Sequence, residues 1–372
     1  MKSDKKAVEV NVIVVVDLNG SMKMNIDTPY YEDHERVSNS SIGWFLKGGP
    51  SFFYKMLKGE IVGEKTSALE RGSMIHSYIL TPEEFQKDYV VWDKSRPSSS
   101  QQEKFCQALA FSTEIEPNRA ILSAFKDAYS TAGRSDDKML SEGLKIASTL
   151  KDYIDFLKAN DGRTMISPWD VKMLEKIKHN IQSHKLANKL VWPGGYKTYT
   201  QQPLYFASLT PGDTVTGHEV HINWEWYGDE PNDDYPHVSC KSLLDSLTLD
   251  FKNKKATIMD LKTTAKLWNF EDSIDMYDYC RQLCYYMHAV SWFLYTELQE
   301  DLKNWSFEFY IIGIDTTGSN EIRVFYVENY MVQSRNSVIH NTLSEILWHQ
   351  INNKWDHSRE YYEGDGSESL NL

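Results

Sequence analysis

The chain has 372 residues, 41% hydrophobic, 25% charged and 13% aromatic, which suits one large globular domain or two ordinary ones and excludes a disordered chain. Its formal net charge of −13 argues against a broad nonspecific coat on nucleic acid, which would be basic overall, but leaves room for a locally basic groove. Four cysteines, Cys106, Cys240, Cys280 and Cys284, are few for a disulfide framework and suggest a reducing compartment. In chain order, Val8 to Leu18 is an apolar run interrupted by Glu9 and Asn11. It is too short to span a bilayer and too polar for a secretion signal, and its β-branched residues predict a strand. No other stretch approaches ~18 uninterrupted apolar residues, so a soluble intracellular protein without a membrane partner is expected.

Residues 1–37 read as an extension with no assignable chemistry. Ser40 or Ser41 can cap a short helix, IGWFLKG, closed by Gly48-Gly49-Pro50, with a second helix from Phe52 to Lys58. Between Ala68 and Leu80 the residues Leu69, Met74, Ile75, Tyr78 and Ile79 recur at helical spacing until Pro82 ends the run. His76 lies in that helix; by itself it reads as a packed, hydrogen-bonded histidine more readily than as a ligand. Residues 93–103 form a polar loop, and Glu103 to about Asn188 reads as helix with breaks. Ser167-Pro168-Trp169-Asp170 is a helix start, with serine at the cap and proline in the first turn. Lys172, Lys176, Lys178 and Lys185 there read first as solvated helix charge and second as a DNA-facing side.

From Val191 the pattern turns to strands. His218 to Trp226 alternates strictly, with Glu219 and His221 on one face and Val220 and Ile222 on the other. His218 and His221 therefore face opposite ways, and no zinc spacing results. The acidic stretch GDEPNDDYPH leads into a hairpin, CKSLLDSLTLDFKNKKATIMDLKTT. Asp245 sits on its first strand; Asp260 and Lys262 end the second and, being two apart, project from one face. Two acids and a lysine at the end of a sheet suit a divalent-metal site for phosphodiester hydrolysis. Hard cations take carboxylates, waters and substrate phosphate, and a lysine beside them orients water and offsets charge building on the phosphate. The plain alternative is a surface hairpin with a salt bridge. A helix of nearly thirty residues follows, about Glu271 to Leu298, on which Gln282 and Tyr286 share a face one turn apart. A glutamine on so apolar a helix needs partners. Strands Phe307–Ile314 and Ile322–Val327, a helix from about Val332 to Asn352 and a disordered tail complete the chain.

The order of these elements resembles the PD-(D/E)XK nuclease superfamily, in particular its exonuclease VIII (RecE C-terminal) and RecB-like members. The matching residues are Gly72 and His76 in RGSMIHSYIL, Asp245 in CKSLLD, Asp260 and Lys262 in IMDLKTT, and Tyr279, Gln282 and Tyr286 in YDYCRQLCYY. Weaker echoes are SSIGWFLKGGPSFFY, His184 and Trp355. The resemblance implies an α/β (α+β mixed) fold, a central mixed β-sheet flanked by helices in a restriction-endonuclease-like core. The expected division is a 1–37 extension, a 38–190 helical layer, a 191–330 catalytic core and a 331–372 helix and tail. Carried over by position, His76, Asp245, Asp260 and the Leu261 carbonyl would hold Mg²⁺ or Mn²⁺. Lys262 would place the attacking water, and Gln282 and Tyr286 would order Lys262 or the DNA end. Lys241, Thr263 and Lys266 are candidate DNA contacts. Glu219 and Asp250 are second-rank acids; Asp250, ten before Asp260, fits the hairpin turn better.

There are departures. The family often has a basic residue two before the first aspartate, where this chain has Leu243. The cysteines do not follow the Gln–Tyr helix, so no iron–sulfur cluster is expected. The implied activity is a Mg²⁺-dependent exonuclease acting on linear duplex ends in a bacterial or phage-infected cytoplasm. The resemblance also implies a single-strand annealing recombinase as a partner and assembly into a homo-oligomeric ring. The competing readings are a non-catalytic nucleic-acid-binding or scaffold protein on this fold and a structure-specific endonuclease.

Overall fold

A computed structural model of the protein describes residues 29–63, 66–159, 162–208, 214–216, 219–221 and 238–368. The expected strand Val8 to Leu18, most of His218 to Trp226 and the acidic stretch 228–237 lie outside these. The chain forms two compact units, one of residues 82–175 and one of the remainder. The helices between 39 and 80 thus belong with the sheet, and only 82–175 of the expected 38–190 layer stands by itself. No helix among the described residues is long and apolar enough to cross a membrane.

The 82–175 unit is mainly helical. Ser99 caps the Ser100–Ala110 helix, Glu116 caps Pro117–Ala128 with proline at its first turn, and Ser135 caps Asp136–Thr149. Their apolar faces meet around Phe105, Phe125 and Met139, joined by Ile154 of the Lys151–Ala159 helix. One short parallel pair, Tyr89–Val91 with Thr164–Ile166, completes the unit.

The other unit is built on a five-stranded sheet in the order Lys197–Ser208, Val238–Asp250, Lys255–Thr264, Ser306–Asp315, Ile322–Val327. All neighbours are antiparallel except Lys255–Thr264 and Ser306–Asp315, which run parallel. A parallel pair needs a long crossover, and the Tyr279–Thr296 helix supplies it. That helix buries Leu283, Cys284, Tyr285, Val290 and Phe293 in the main core with Leu247, Ile258, Phe309 and Ile311 of the sheet. The mixed α/β class and the sheet flanked by helices are therefore as expected.

Local differences have local causes. The first two helices form one element, Asn39–Leu57, capped by Ser38 in a capping box with Ser41. It is kinked at Gly49, whose φ of 70° and ψ of −171° only glycine adopts readily. The expected thirty-residue helix is two, Phe270–Met276 and Tyr279–Thr296. Asp278 separates them: it is left-handed (φ 47°), caps the second helix through the Arg281 N–H, and binds the Arg335 guanidinium at 2.7 Å. The last long helix also divides, into Asn329–Gln333 and Asn336–Asn352. Tyr361–Glu363, expected in the disordered tail, close a short helix that begins at Arg359 and stacks Tyr362 on Trp348.

One feature of the sheet shapes the site. The hairpin strands pair only from Asp250–Lys255 to Ser246–Met259. Beyond that rung the first strand stays with Lys197–Ser208 and the second with Ser306–Asp315, so the two diverge. Val37 bridges to the freed edge of the first strand, its N–H donating to the Ser239 carbonyl and its carbonyl accepting the Lys241 N–H. The Ser67–Leu80 helix touches both arms of the fork.

Candidate active site

Asp245 and Asp260 lie where the fork opens. With the ladder broken, the Leu261 N–H donates to Asp245 Oδ2 at 2.7 Å. The Leu261 carbonyl takes the His76 Nε2–H at 2.8 Å, and the same nitrogen lies 3.6 Å from Asp245 Oδ2. His76 comes this close because its helix approaches the strand at Gly72. A Cβ on Gly72 would stand 3.1 Å from Thr263 Oγ1, tighter than ordinary contact, so a larger side chain there would require Thr263 or the helix to give way.

Asp260 is 2% exposed and Asp245 7%. Asp260 Oδ2 is paired with the Lys262 ammonium, its neighbour two along the strand. Asp260 Oδ1 accepts from Gln282 Nε2 at 3.3 Å, and the same amide donates to the Tyr286 hydroxyl at 2.6 Å. The spacing of Gln282 and Tyr286 on one helical face thus yields a direct contact. Gln282 contacts Asp260, where the resemblance had it ordering Lys262 or the DNA end. The ammonium sits over the Tyr279 ring, 5.0 Å from its centroid.

Burial pushes the Asp260 carboxyl up to about 6, and the Asp245 charge adds to this against the pull of Lys262. Burial alone would lower Lys262, yet the Asp260 and Asp245 carboxylates outweigh it and hold the ammonium above its ordinary range. Lys262 is therefore a hydrogen-bond donor and a positive charge, and a poor proton acceptor.

Two buried carboxylates beside one ammonium leave excess negative charge, which a divalent cation would relieve. The His76 Nε2 proton already lies between the Leu261 carbonyl and Asp245, the donor types a hard cation takes. Among the described residues no three His, Cys, Asp or Glu side chains form a metal-binding group. A cation here would use the Leu261 carbonyl as a third protein oxygen and draw Asp260 from its pairing with Lys262. On those terms the donors fit Mg²⁺ or Mn²⁺.

The other candidates lie elsewhere. Lys241 is 7% exposed and donates to the Tyr30 and Asp33 carbonyls at 2.6 and 2.5 Å. Burial lowers its pKa, and its charge tethers the 29–36 segment instead of facing a ligand. Asp250 closes the hairpin turn, accepting the Lys252 and Asn253 N–H groups. Thr263 is half-buried under Gly72, and Lys266 is exposed just past the strand. Glu219 lies on the short strand Glu219–His221, its side chain outside the described residues. His184 caps the Lys185–Val191 helix through Nδ1, and Trp355 stacks on Phe53 and Tyr54. All four cysteines are buried thiols.

Sequence reasoning missed Gln201. It sits on the edge strand beside Asp245 with a φ of 49°, left-handed within a strand, and the ladder skips that rung. Its Nε2 donates to Asp245 Oδ1 at 2.6 Å. Both Asp245 oxygens are thus held, one by each neighbouring strand. The dipeptide Gln201-Gln202 before Pro203 carried no signal for this; only the backbone twist turns Gln201 inward.

No family model matches the chain. No curated protein matches it. Among solved structures, a protein of Eubacterium rectale named "Putative exonuclease" is similar with a TM-score of 0.42 and 13% identity, over 95% of this chain and 96% of that one.

Proposed function

We propose that the protein is a divalent-metal-dependent deoxyribonuclease of the PD-(D/E)XK kind that hydrolyses phosphodiester bonds from DNA ends. The observation that carries this reading is the fork itself. His76, Asp245, Asp260, Lys262 and the Leu261 carbonyl, spread over nearly two hundred residues of sequence, meet at one opening of the sheet.

In this reading a water oxygen attacks phosphorus and gives up a proton to bulk solvent, the phosphorus–oxygen bond to the leaving DNA oxygen breaks, and that oxygen takes up a proton from solvent, so that one water is added across the bond. When bound, the cation would act as a Lewis acid toward the phosphate and lower the pKa of the water. The chain's own residues do the rest. Lys262, kept protonated by its carboxylate neighbours, donates to the phosphate oxygens as charge accumulates and orients the water. Gln282, backed by Tyr286, fixes Asp260; Gln201 fixes Asp245. Action in a bacterial or phage-infected cytoplasm, alongside an annealing recombinase or as a ring, belongs to the same proposal.

The test is degradation of linear duplex DNA with and without Mg²⁺, with Lys262→Ala and Asp260→Ala alongside. Loss of one donor to developing charge costs about 10²–10³ in rate, so Lys262→Ala should fall at least that far, and Asp260→Ala should fall as well because it removes a carboxylate that would hold the cation. Robust digestion by both would end the assignment. Mg²⁺-independent binding without cleavage would favour a non-catalytic binding protein, the reading that Leu243 and the inward Lys241 support. Cleavage of closed circular DNA would mark an endonuclease.

A further inference from the structure

An aromatic stack leads out of the site, and no step of the proposed hydrolysis uses it. The Lys262 ammonium lies over the Tyr279 ring at 5.0 Å. The Tyr279 and Tyr277 rings are stacked in turn, with centroids 5.8 Å apart and planes 22° from parallel. Tyr279 is half-buried, while Tyr277 is 60% exposed. The stretch between the Lys262 strand and the Tyr279 helix also exposes Trp268 (77%) and Met276 (74%). The line thus runs from the charge at the carboxylates to the exposed ring of Tyr277.

We infer that Tyr277 stacks an unpaired nucleobase next to the scissile phosphate, so that the site acts on single-stranded or frayed DNA ends in preference to paired ones. The inference rests on the nuclease reading for the position of the phosphate. If Lys262 contacts that phosphate, the exposed ring two steps along the stack lies about where the base of an adjoining nucleotide falls. A base inside a duplex has both faces covered by its neighbours, so the ring has most to offer one that has left the helix. Charge points the same way. With a net charge of −13, the protein lacks the overall positive field that draws in a duplex backbone. Base stacking, which needs no such field, is then a larger share of the affinity.

The experiment measures binding of the full-length protein to three fluorescent DNAs in EDTA, where no cleavage occurs: a blunt hairpin duplex, the same duplex with a short overhang, and the single strand alone. Tyr277→Ala should weaken binding of the overhang and the single strand about tenfold, at the lower part of the range for removing one stacked base. Blunt-duplex binding should change less than twofold. Tyr277→Trp should keep or improve the overhang preference, since a larger ring stacks better, which separates stacking from loss of fold. Binding of the overhang and single strand should also fall less steeply with salt than binding of the blunt duplex. The inference is overturned if Tyr277→Ala changes none of the three affinities or weakens all three equally. Parallel digestion with Mg²⁺ keeps the two claims apart. Wild-type protein that binds as described but cuts none of the DNAs leaves stacking standing and removes the nuclease reading. Wild-type protein that cuts while Tyr277→Ala keeps wild-type end preference does the reverse.

Discussion

Replacing Gln201 tests the geometry of the site without assuming any activity. Its backbone is left-handed, with φ of 49° in an edge strand, and its amide donates to Asp245 Oδ1 at 2.6 Å. Two energies are separable there. A hydrogen bond to a charged group contributes about 1.5–3 kcal/mol, and because Gln201 is only half-buried the low end applies. A left-handed non-glycine residue costs about 1–2 kcal/mol. Gln201→Ala loses the bond and keeps the strain, so it should be about 1.5 kcal/mol less stable than wild type. Gln201→Gly loses the same bond but relieves the strain, while the greater freedom of glycine in the unfolded chain takes back roughly 0.5–1 kcal/mol. Glycine should therefore exceed alanine by about 1 kcal/mol, roughly 2–4 °C in melting temperature for a unit of this size. Urea titrations followed by tryptophan fluorescence would show this as a shift in midpoint at constant slope. If alanine proved as stable as glycine, Gln201 would not be held left-handed, and the account of how Asp245 is oriented would be wrong.

Two further outcomes follow from the same contacts. Because the Asp260 carboxyl sits at about 6, it is neutral below that pH and can neither pair with Lys262 nor hold a cation. If the proposed hydrolysis holds, activity at limiting Mg²⁺ should rise with pH through about 6, and this limb should move to lower pH as Mg²⁺ is raised, since cation and proton compete for one oxygen. A limb unmoved by Mg²⁺ would take Asp260 out of cation binding. At Gly72, a valine should cost about 1–3 kcal/mol by pressing on Thr263 and, under the proposed function, should slow cleavage by displacing His76. Combining it with Thr263→Gly should recover part of both losses, whereas strictly additive stabilities in the double-mutant cycle would show that the helix does not rest on Thr263.

What could be read in advance at this site was local. Asp260 and Lys262 pair because a strand turns every second side chain the same way, and Gln282 meets Tyr286 because four residues make about one helical turn. The turn role of Asp250 followed from the polar run after it. Errors began where a residue's neighbour is remote in sequence. Lys241 could be placed on a strand but not recognised as the anchor of Tyr30 and Asp33. Asp278 could be placed in a helical stretch, but its left-handed turn, which splits the helix, depends in part on Arg335.

The sequence by itself determined the element types around the site and the faces on which its acids and lysine project, because each follows from the backbone repeat of a single element; the mixed α/β class came from the order of those elements, through the resemblance it carries. Only the tertiary structure decided that the hairpin ladder stops at Ser246 and Met259, that His76 reaches Leu261 across the fork, and that Gln201 turns inward to Asp245. Those contacts join residues tens to hundreds of positions apart. Their free energy depends on where strands part and how closely a helix can approach, which no periodicity within one element encodes.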